Sequence, residues 1–247
     1  MKFIETHIHL QDFPKECTEK IVSEAIAVGV EGFLCVSSKP CEWQEVLSLA
    51  KSYPQQVFPA LGIHPWYVGE TQENDLRQLE DLLLNNPKAL IGEAGLDGYK
   101  DFSELQEKFF VAQCDLAKKY HRPLIIHCVK AQQWFEKNWN LLPPKFVFHS
   151  YSGKEDFAKK IVQQDGYVSF SFSILKNTSR EAVLKSVPLN RLLLETDSPY
   201  QTFEKDVENN PVFLPHLFFE IAKILEIKYE DFTKKIYQNA TEFLKVE

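Results

Sequence analysis

The chain has 247 residues, of which 44% are hydrophobic and 26% are charged, a composition typical of globular proteins. Its formal net charge is −7, so no overall positive field attracts nucleic acid or an anionic membrane. This charge disfavours tight nonspecific DNA binding, although it leaves room for a local basic site. A length near 250 residues fits one large α/β barrel or two smaller domains.

The five cysteines favour a reducing environment. Their number is odd and no Cys-x-x-Cys pair occurs, so neither a disulfide framework nor a cysteine-based structural zinc site is predicted. The cytoplasm is therefore the expected compartment. No run of about 18 apolar residues occurs, and we predict no membrane-spanning helix.

Short apolar runs recur along the chain and predict eight strands. Most of the runs are apolar on both faces, as in parallel strands that are buried between two layers. The predicted strands are 3–6, 32–36, 57–61, 89–92, 124–127, 146–149, 167–170 and 192–195.

Amphipathic stretches with helical spacing follow these runs, and several end at glycine or proline. The predicted helices are 18–28, 43–52, 76–84, 105–116, 131–141, 157–164, 179–185, 212–225 and 229–244. This alternation predicts an α/β fold, a single (β/α)8 TIM barrel that forms one domain over residues 1–247. A doubly wound open sheet is the main alternative, but it rarely needs eight such repeats. Neither GxGxxG nor GxxxxGK[ST] occurs, so dinucleotide and P-loop sites are not predicted.

Histidines and carboxylates stand at the predicted carboxyl ends of the strands, where barrel enzymes carry their chemistry. Along the first strand, His7 and His9 are two residues apart and point to one face. The other strand-end residues are His64 on the third strand, Glu93 on the fourth, His127 on the fifth, His149 on the sixth and Asp197 after the eighth. Five of the seven histidines therefore lie at one predicted rim.

Taken singly, these residues have ordinary structural interpretations. His64 precedes a proline and fits a turn, and Asp197 fits an Asx-turn. Together, four histidines and two carboxylates at one barrel mouth are costly to bury without a partner, and a divalent metal supplies one. Six candidate ligands exceed the four of a typical zinc site and suit two metal ions, with Glu93 as the shared ligand.

The motifs that carry these residues resemble those of the TatD family of metal-dependent hydrolases, which are amidohydrolase-like TIM barrels. The resemblance covers nearly the whole chain. Its motifs are Thr6-His7-Ile8-His9, Gly62-Ile63-His64-Pro65, the segment 91–97 around Glu93, the segment 123–127 ending in His127, His149-Ser150-Tyr151-Ser152-Gly153 and the segment 194–200 around Asp197.

The resemblance implies two divalent metal ions, either Zn, Mg or Mn. One ion would be held by His7, His9, Glu93 and Asp197, and the other by Glu93, His127 and His149. It also implies catalytic roles for Asp197, Glu93 and His64. Asp197 would orient or deprotonate the attacking water, and His64 would contact a phosphate or leaving-group oxygen.

The chain departs from the family pattern where relatives carry arginines. Val129 occupies the arginine position that follows His127, with Lys130 beside it. The loop 201–207 is shorter than in relatives and acidic, where they carry Arg-Gly-Lys. Lys130 and Lys176 are the predicted cationic contacts to the substrate. These departures bear on the identity of the substrate more than on hydrolysis.

The leading hypothesis is a two-metal phosphodiesterase, a deoxyribonuclease of exonuclease type, that acts as a monomer on DNA or on a small phosphoester. The second hypothesis keeps the two-metal hydrolase chemistry but takes a small ester, amide or phosphoester. The third is a catalytically silent metal-binding adaptor. A purely structural zinc site is disfavoured, because such sites are closed and usually rich in cysteine.

Overall fold

A computed structural model describes residues 1–101, 103–176, 180–202 and 206–246. Its eight strands run parallel in one sheet, in the same order as in the sequence. The strands are β1 (Phe3–Ile8), β2 (Val30–Val36), β3 (Val57–Leu61), β4 (Leu90–Asp97), β5 (Leu124–Val129), β6 (Phe146–Phe148), β7 (Tyr167–Phe170) and β8 (Leu192–Leu194). All eight predicted strands are confirmed, and β3 and β7 have the predicted bounds.

Helices separate the strands. They are α1 (Lys15–Ala27), α2 (Trp43–Ser52), α3 (Glu73–Asn85), α4 (Ser103–Lys119), α5 (Gln132–Lys137), α6 (Glu155–Gln163), α7 (Glu181–Ser186), α8 (Leu214–Ile224) and α9 (Tyr229–Leu244). Across the described ranges, none of them has the length and apolar character needed to cross a membrane.

Several predicted elements differ from the structure in their bounds. The helix predicted over 131–141 is divided, because the chain turns at Asn138, whose side-chain amide donates to the Trp134 carbonyl at 2.7 Å. The strand predicted over 89–92 continues to Asp97, because β4 keeps pairing with β5 as far as Val129. The predicted helix 179–185 begins at Glu181, and Ser179 lies outside the described residues.

The ends of the sheet meet, so the barrel is nearly closed. The backbone N–H of Asp197 donates to the His7 carbonyl at 3.1 Å, and the N–H of His9 donates to the Ser198 carbonyl at 2.9 Å. These bonds join the segment after β8 to β1. The predicted (β/α)8 barrel is therefore confirmed, and the open doubly wound sheet is excluded.

Apolar side chains fill the end of the barrel at which the strands begin. They come from successive strands and pack with α9, which covers this end. The cluster includes Leu34, Ala60, Leu90, Ile125, Val147 and Leu193 from the strands and Ala240 and Phe243 from α9. A larger apolar cluster lies between the strands and the surrounding helices. A site built from polar side chains is therefore expected at the other end of the barrel, where the strands finish.

Candidate metal centre

β1 delivers the first two polar side chains to the barrel mouth. His7 lies inside the strand and is fully buried, whereas His9 follows the strand and is 3% exposed. Their Nε2 atoms are 3.2 Å apart. The two-residue spacing therefore places both imidazoles on one point, as the strand geometry predicts.

Glu93 on β4 lies at the centre of the site. Its Oε1 atom is 3.1 Å from His64 Nε2, 3.0 Å from His127 Nδ1 and 2.7 Å from His149 Nε2. Its other oxygen, Oε2, is 3.4 Å from His7 Nε2. The two oxygens of one carboxylate therefore face different sets of ring nitrogens.

Asp197 completes the set on the side of β1. Its Oδ1 atom is 3.5 Å from His9 Nε2 and 3.7 Å from His7 Nε2. The side-chain amide of Gln201 donates to its Oδ2 atom at 2.5 Å. Asp197 has a φ of 58°, in the left-handed region that aspartate tolerates better than most residues. The hydrogen bond from Gln201 on one side and the two imidazoles on the other thus hold this carboxylate in one orientation.

The donor atoms form three overlapping groups, and within each group they lie within 4.8 Å of one another. The groups are His7 with Glu93 and His149, His7 with His9 and Asp197, and His64 with Glu93 and His127. Imidazole nitrogens and carboxylate oxygens are common ligands of divalent metal ions. The chemistry of the set therefore fits a divalent metal, and all six ligands predicted from the sequence lie in it.

Burial and mutual charge set the protonation of the group. Burial lowers the pKa of His64 to about 4, so this ring is neutral near pH 7. Burial acts in the same direction on His9, but the hydrogen bond and charge of Asp197 outweigh it and raise the pKa of His9 to about 9. Burial alone would raise the pKa of Glu93, yet the charge of His149 helps to hold it well below its usual range. Glu93 is therefore an ionised carboxylate.

Asp97 supports the centre from the end of β4, a role that sequence reasoning missed. Its Oδ2 atom is 3.2 Å from His127 Nε2 and accepts the indole N–H of Trp66 at 2.6 Å. Its Oδ1 atom accepts the backbone N–H of Tyr99 at 2.9 Å. The even spacing from Glu93 to Asp97 on one strand was the signal that could have revealed it.

Glu195 has a comparable position behind His149, and sequence reasoning gave it no role in the site. Its side chain is fully buried, and its Oε1 atom lies 3.3 Å from His149 Nδ1. The same oxygen accepts the backbone N–H of Ser150 at 2.6 Å, and Ser169 donates to Oε2 at 2.5 Å. A buried carboxylate with these bonds orients the imidazole beside it.

The donors open into a cavity of about 440 Å³. Its lining includes His9, His64, Glu93, His127, His149, Asp197, Trp66, Tyr67, Val129, Ser150, Ser152, Ser173, Arg180 and Gln201. Sequence reasoning missed Arg180, although it selected Lys176 in the same segment after β7. The position of Arg180 in that segment, close to Lys176, was therefore the signal that could have revealed it.

Lys130 and Lys176, the two predicted cationic contacts, are not among the residues that line this cavity. The Lys130 ammonium lies 5.7 Å from the centre of the Tyr99 ring, and the Lys176 ammonium donates to the Thr202 carbonyl at 2.7 Å. Their contact with a substrate stays a prediction. In the acidic loop 201–207, residues 203–205 lie outside the described part of the chain.

Known proteins share the fold of this chain and are similar to it in sequence. A solved structure of YjjV, a TatD homologue from Escherichia coli K12, superposes with a TM-score of 0.91 at 28% identity, covering 98% of this chain and 97% of that one. A TatD family hydrolase from Entamoeba histolytica has a TM-score of 0.88 at 21% identity, covers 98% of both chains and supports the fold alone.

A curated relative from Edwardsiella piscicida, named 3′-5′ ssDNA/RNA exonuclease TatD, is 31% identical over 218 residues. The match covers 83% of this chain and 84% of that protein. The family described as TatD related DNase matches residues 4–245. A family match over almost the whole sequence, joined to the same fold, identifies this chain as a member of the TatD family.

Proposed function

We propose that the protein is a metal-dependent hydrolase that cleaves phosphodiester bonds in DNA through a two-metal site. The observation that carries the proposal is the placement of Glu93, whose two carboxylate oxygens face separate sets of donors. A carboxylate shared between two donor sets suits a pair of neighbouring divalent ions. The name of the Edwardsiella relative, an exonuclease on single-stranded DNA and RNA, supports this substrate class.

In the proposed centre, His7, His9, Glu93 and Asp197 would hold one ion, and Glu93, His127 and His149 would hold the other. The ions can be Zn, Mg or Mn, since histidine and carboxylate ligands accept each of these. Bound divalent ions lower the pKa of water and stabilise the charge that develops on the phosphate oxygens.

Asp197 is proposed to orient the attacking water and to accept its proton. Gln201 and the backbone bond to His7 hold this carboxylate in place, and its Oδ1 atom faces the metal-ligand histidines. A base whose orientation is fixed in advance needs no rearrangement when the water reacts.

His64 is proposed to donate a hydrogen bond to a phosphate or leaving-group oxygen. Its Nδ1 atom accepts the backbone N–H of Trp66 at 3.2 Å, which places the proton of the neutral ring on Nε2. Nε2 lies 3.1 Å from Glu93 Oε1, on the side of the metal centre. The ring thus presents an N–H, rather than a lone pair, to the reacting group.

The first prediction tests the nuclease. In Mn²⁺, the purified protein should shorten end-labelled single-stranded DNA, and EDTA should stop the reaction. Asp197→Asn and Glu93→Gln should each lower kcat by at least about a hundredfold, because each removes a charge from the reacting centre. Denaturing gels and circular dichroism spectra give the rates and the folding of each variant.

Asp165→Asn is the matched control for Asp197→Asn. Asp165 has nearly the same backbone conformation, with a φ of 59°, but its side chain is exposed and pairs with Arg191. It should keep the wild-type rate. Degradation of DNA by Asp197→Asn at the wild-type rate would overturn the assignment.

A second candidate function is hydrolysis of a small ester, amide or phosphoester. One observation favours it: Arg180 is the single arginine or lysine that lines the cavity within the described ranges. Assays of the wild-type protein on simple esters, lactones and amides separate the two functions, because activity confined to these compounds would exclude the nuclease. Tight metal binding without turnover of any substrate would instead indicate the adaptor.

We also propose that residues 1–247 form one domain, because the segment after β8 bonds directly to β1. A monomer in the reducing cytoplasm completes the proposal. The five free cysteines, including exposed Cys41, favour that compartment.

A further inference from the structure

We propose that Arg180, together with the serine hydroxyls beside it, forms a second phosphate subsite. It would bind the phosphate next to the one that is cleaved, and so make a chain with at least two consecutive phosphates the preferred substrate. This inference rests on the proposed phosphodiesterase function and deepens it.

The cavity has two chemically different walls. The segment after β3 contributes Trp66 and Tyr67, and the Trp66 side chain is 53% exposed. The segment after β7 contributes Ser173 and Arg180. In an eight-stranded barrel, β3 and β7 are four strands apart, so these walls lie on opposite sides of the mouth. Lysine ammonium groups also lie over the aromatic rings, 5.0 Å from the centre of Tyr67 and 4.4 Å from that of Trp66, but these lysines do not line the cavity. The metal centre therefore lies between an aromatic wall and a hydroxyl-bearing wall whose cation, Arg180, lines the cavity itself.

The position of Arg180 suits an anion. Its guanidinium is half-buried and donates from one terminal nitrogen to the Ser173 carbonyl at 3.1 Å, which fixes the group at the cavity wall. Among the ion pairs of the described residues, none joins Arg180 to a carboxylate, whereas Arg191 is paired with Asp165. A guanidinium has five N–H donors in a flat fork that matches two phosphate oxygens.

Hydroxyl groups extend this wall. Ser150 and Ser152, which follow β6, line the cavity together with Ser173. The Ser150 hydroxyl lies 3.1 Å from the Ser171 hydroxyl, which donates to the Ser173 hydroxyl at 3.0 Å. Such hydroxyls can turn towards a bound anion and donate to it. The wall therefore combines one positive charge with several neutral donors, as a phosphate diester requires.

The opposite, aromatic wall offers Trp66 as a stacking surface for the base of a nucleotide. Exposed aromatic rings stack on nucleobases without regard to sequence. A base on Trp66 and a cleaved phosphate at the metal centre would direct the next phosphate towards Arg180. Arg180 would then supply a cation in place of the arginine whose position Val129 occupies.

The experiment compares two thymidine oligonucleotides, one with a single phosphodiester and one with two. The ratio of their kcat/KM values is measured in Mn²⁺ for the wild type, Arg180→Gln, Arg180→Lys and the control Arg77→Gln, an exposed arginine on α3. For the wild type, kcat/KM should be about ten- to a hundredfold higher on the oligonucleotide with two phosphodiesters, because one charge-assisted contact is gained. Arg180→Gln should bring the ratio close to one, mainly through KM, and Arg180→Lys should restore part of it. Arg77→Gln should keep the wild-type ratio.

Binding supplies a readout that is independent of turnover. Calorimetric titration of both oligonucleotides is carried out on Asp197→Asn and on the double variant Asp197→Asn with Arg180→Gln. The proposal requires that the preference for two phosphates is present in the first and lost in the second. Equal affinities in the first protein, or an unchanged preference in the second, would overturn the subsite. A wild type that cleaves neither compound, yet whose Asp197→Asn form shows this preference, would instead overturn the proposed function alone.

Discussion

At the residue scale, the site depends on carboxylates in two different situations. Glu93 and Asp197 face ring nitrogens directly, whereas Glu195 lies behind one of those rings. All three are buried, and an imidazole, amide or hydroxyl group lies within hydrogen-bonding distance of each. Sequence analysis selected the first two, which follow the predicted fourth and eighth strands, as metal ligands. It gave no role to Glu195, because that role depends on the contact with His149, a residue that follows another strand.

Glu195→Gln should weaken metal binding about ten- to a hundredfold, because a carboxylate beside a ligand histidine fixes its ring and raises its basicity. Glu195 Oε1 lies 3.3 Å from His149 Nδ1, and an amide would keep the shape but not the charge. Competitive titration with a chelating dye measures the affinity. Glu136→Gln, which affects an exposed ion pair with Lys160, is the control. Unchanged affinity in Glu195→Gln would show that Glu195 serves packing only.

At the element scale, β4 positions more of the site than the four-residue strand predicted over 89–92 suggests. It carries Glu93 and Asp97, which contact different nitrogens of the His127 ring on β5. Glu93 faces Nδ1, and Asp97 faces Nε2. Gly95 lies between them and pairs with His127 in the sheet. Its lack of a side chain lets the two backbones approach closely at the height of the donor atoms.

Gly95→Ala should destabilise the protein by about 3 kcal/mol or more, since an added methyl group would overlap the carbonyl oxygen of His127. The urea midpoint of unfolding should fall accordingly, and metal affinity should fall with it as His127 moves. In Gly98→Ala, the added carbon would lie 3.0 Å from the nearest Lys130 atoms, so the loss should be smaller. Equal midpoints for the two variants would disprove the close approach.

At the scale of the whole molecule, the donors come from strands that are far apart in sequence. Residues 7 and 197 approach only because the segment after β8 bonds to β1. Apolar side chains fill the opposite end of the barrel beneath α9. A metal ion in the proposed centre would therefore connect the first and last strands with β4, β5 and β6.

Metal should raise the thermal stability of the protein, because the ligands converge only in the folded chain. At a free metal concentration a hundredfold above Kd, binding adds about 2.7 kcal/mol to the free energy of unfolding. For a chain of this size, Tm should rise by about 5–10 °C. Calorimetric scans of EDTA-treated and Mn²⁺-loaded protein measure the shift. Asp197→Asn should lose most of it, and an equal rise in that variant would assign the effect to another site.

The order of the elements was predictable from the sequence, because buried parallel strands are apolar throughout and helices repeat their apolar positions every three to four residues. The six donors were predictable as well, since a barrel brings all strand ends to one rim. Tertiary structure alone revealed the division of donors between the two oxygens of Glu93, the support from Asp97 and Glu195, and the place of Arg180. These features depend on distances between side chains on different strands and loops. Such distances arise only when the barrel closes, and no local pattern in the chain encodes them.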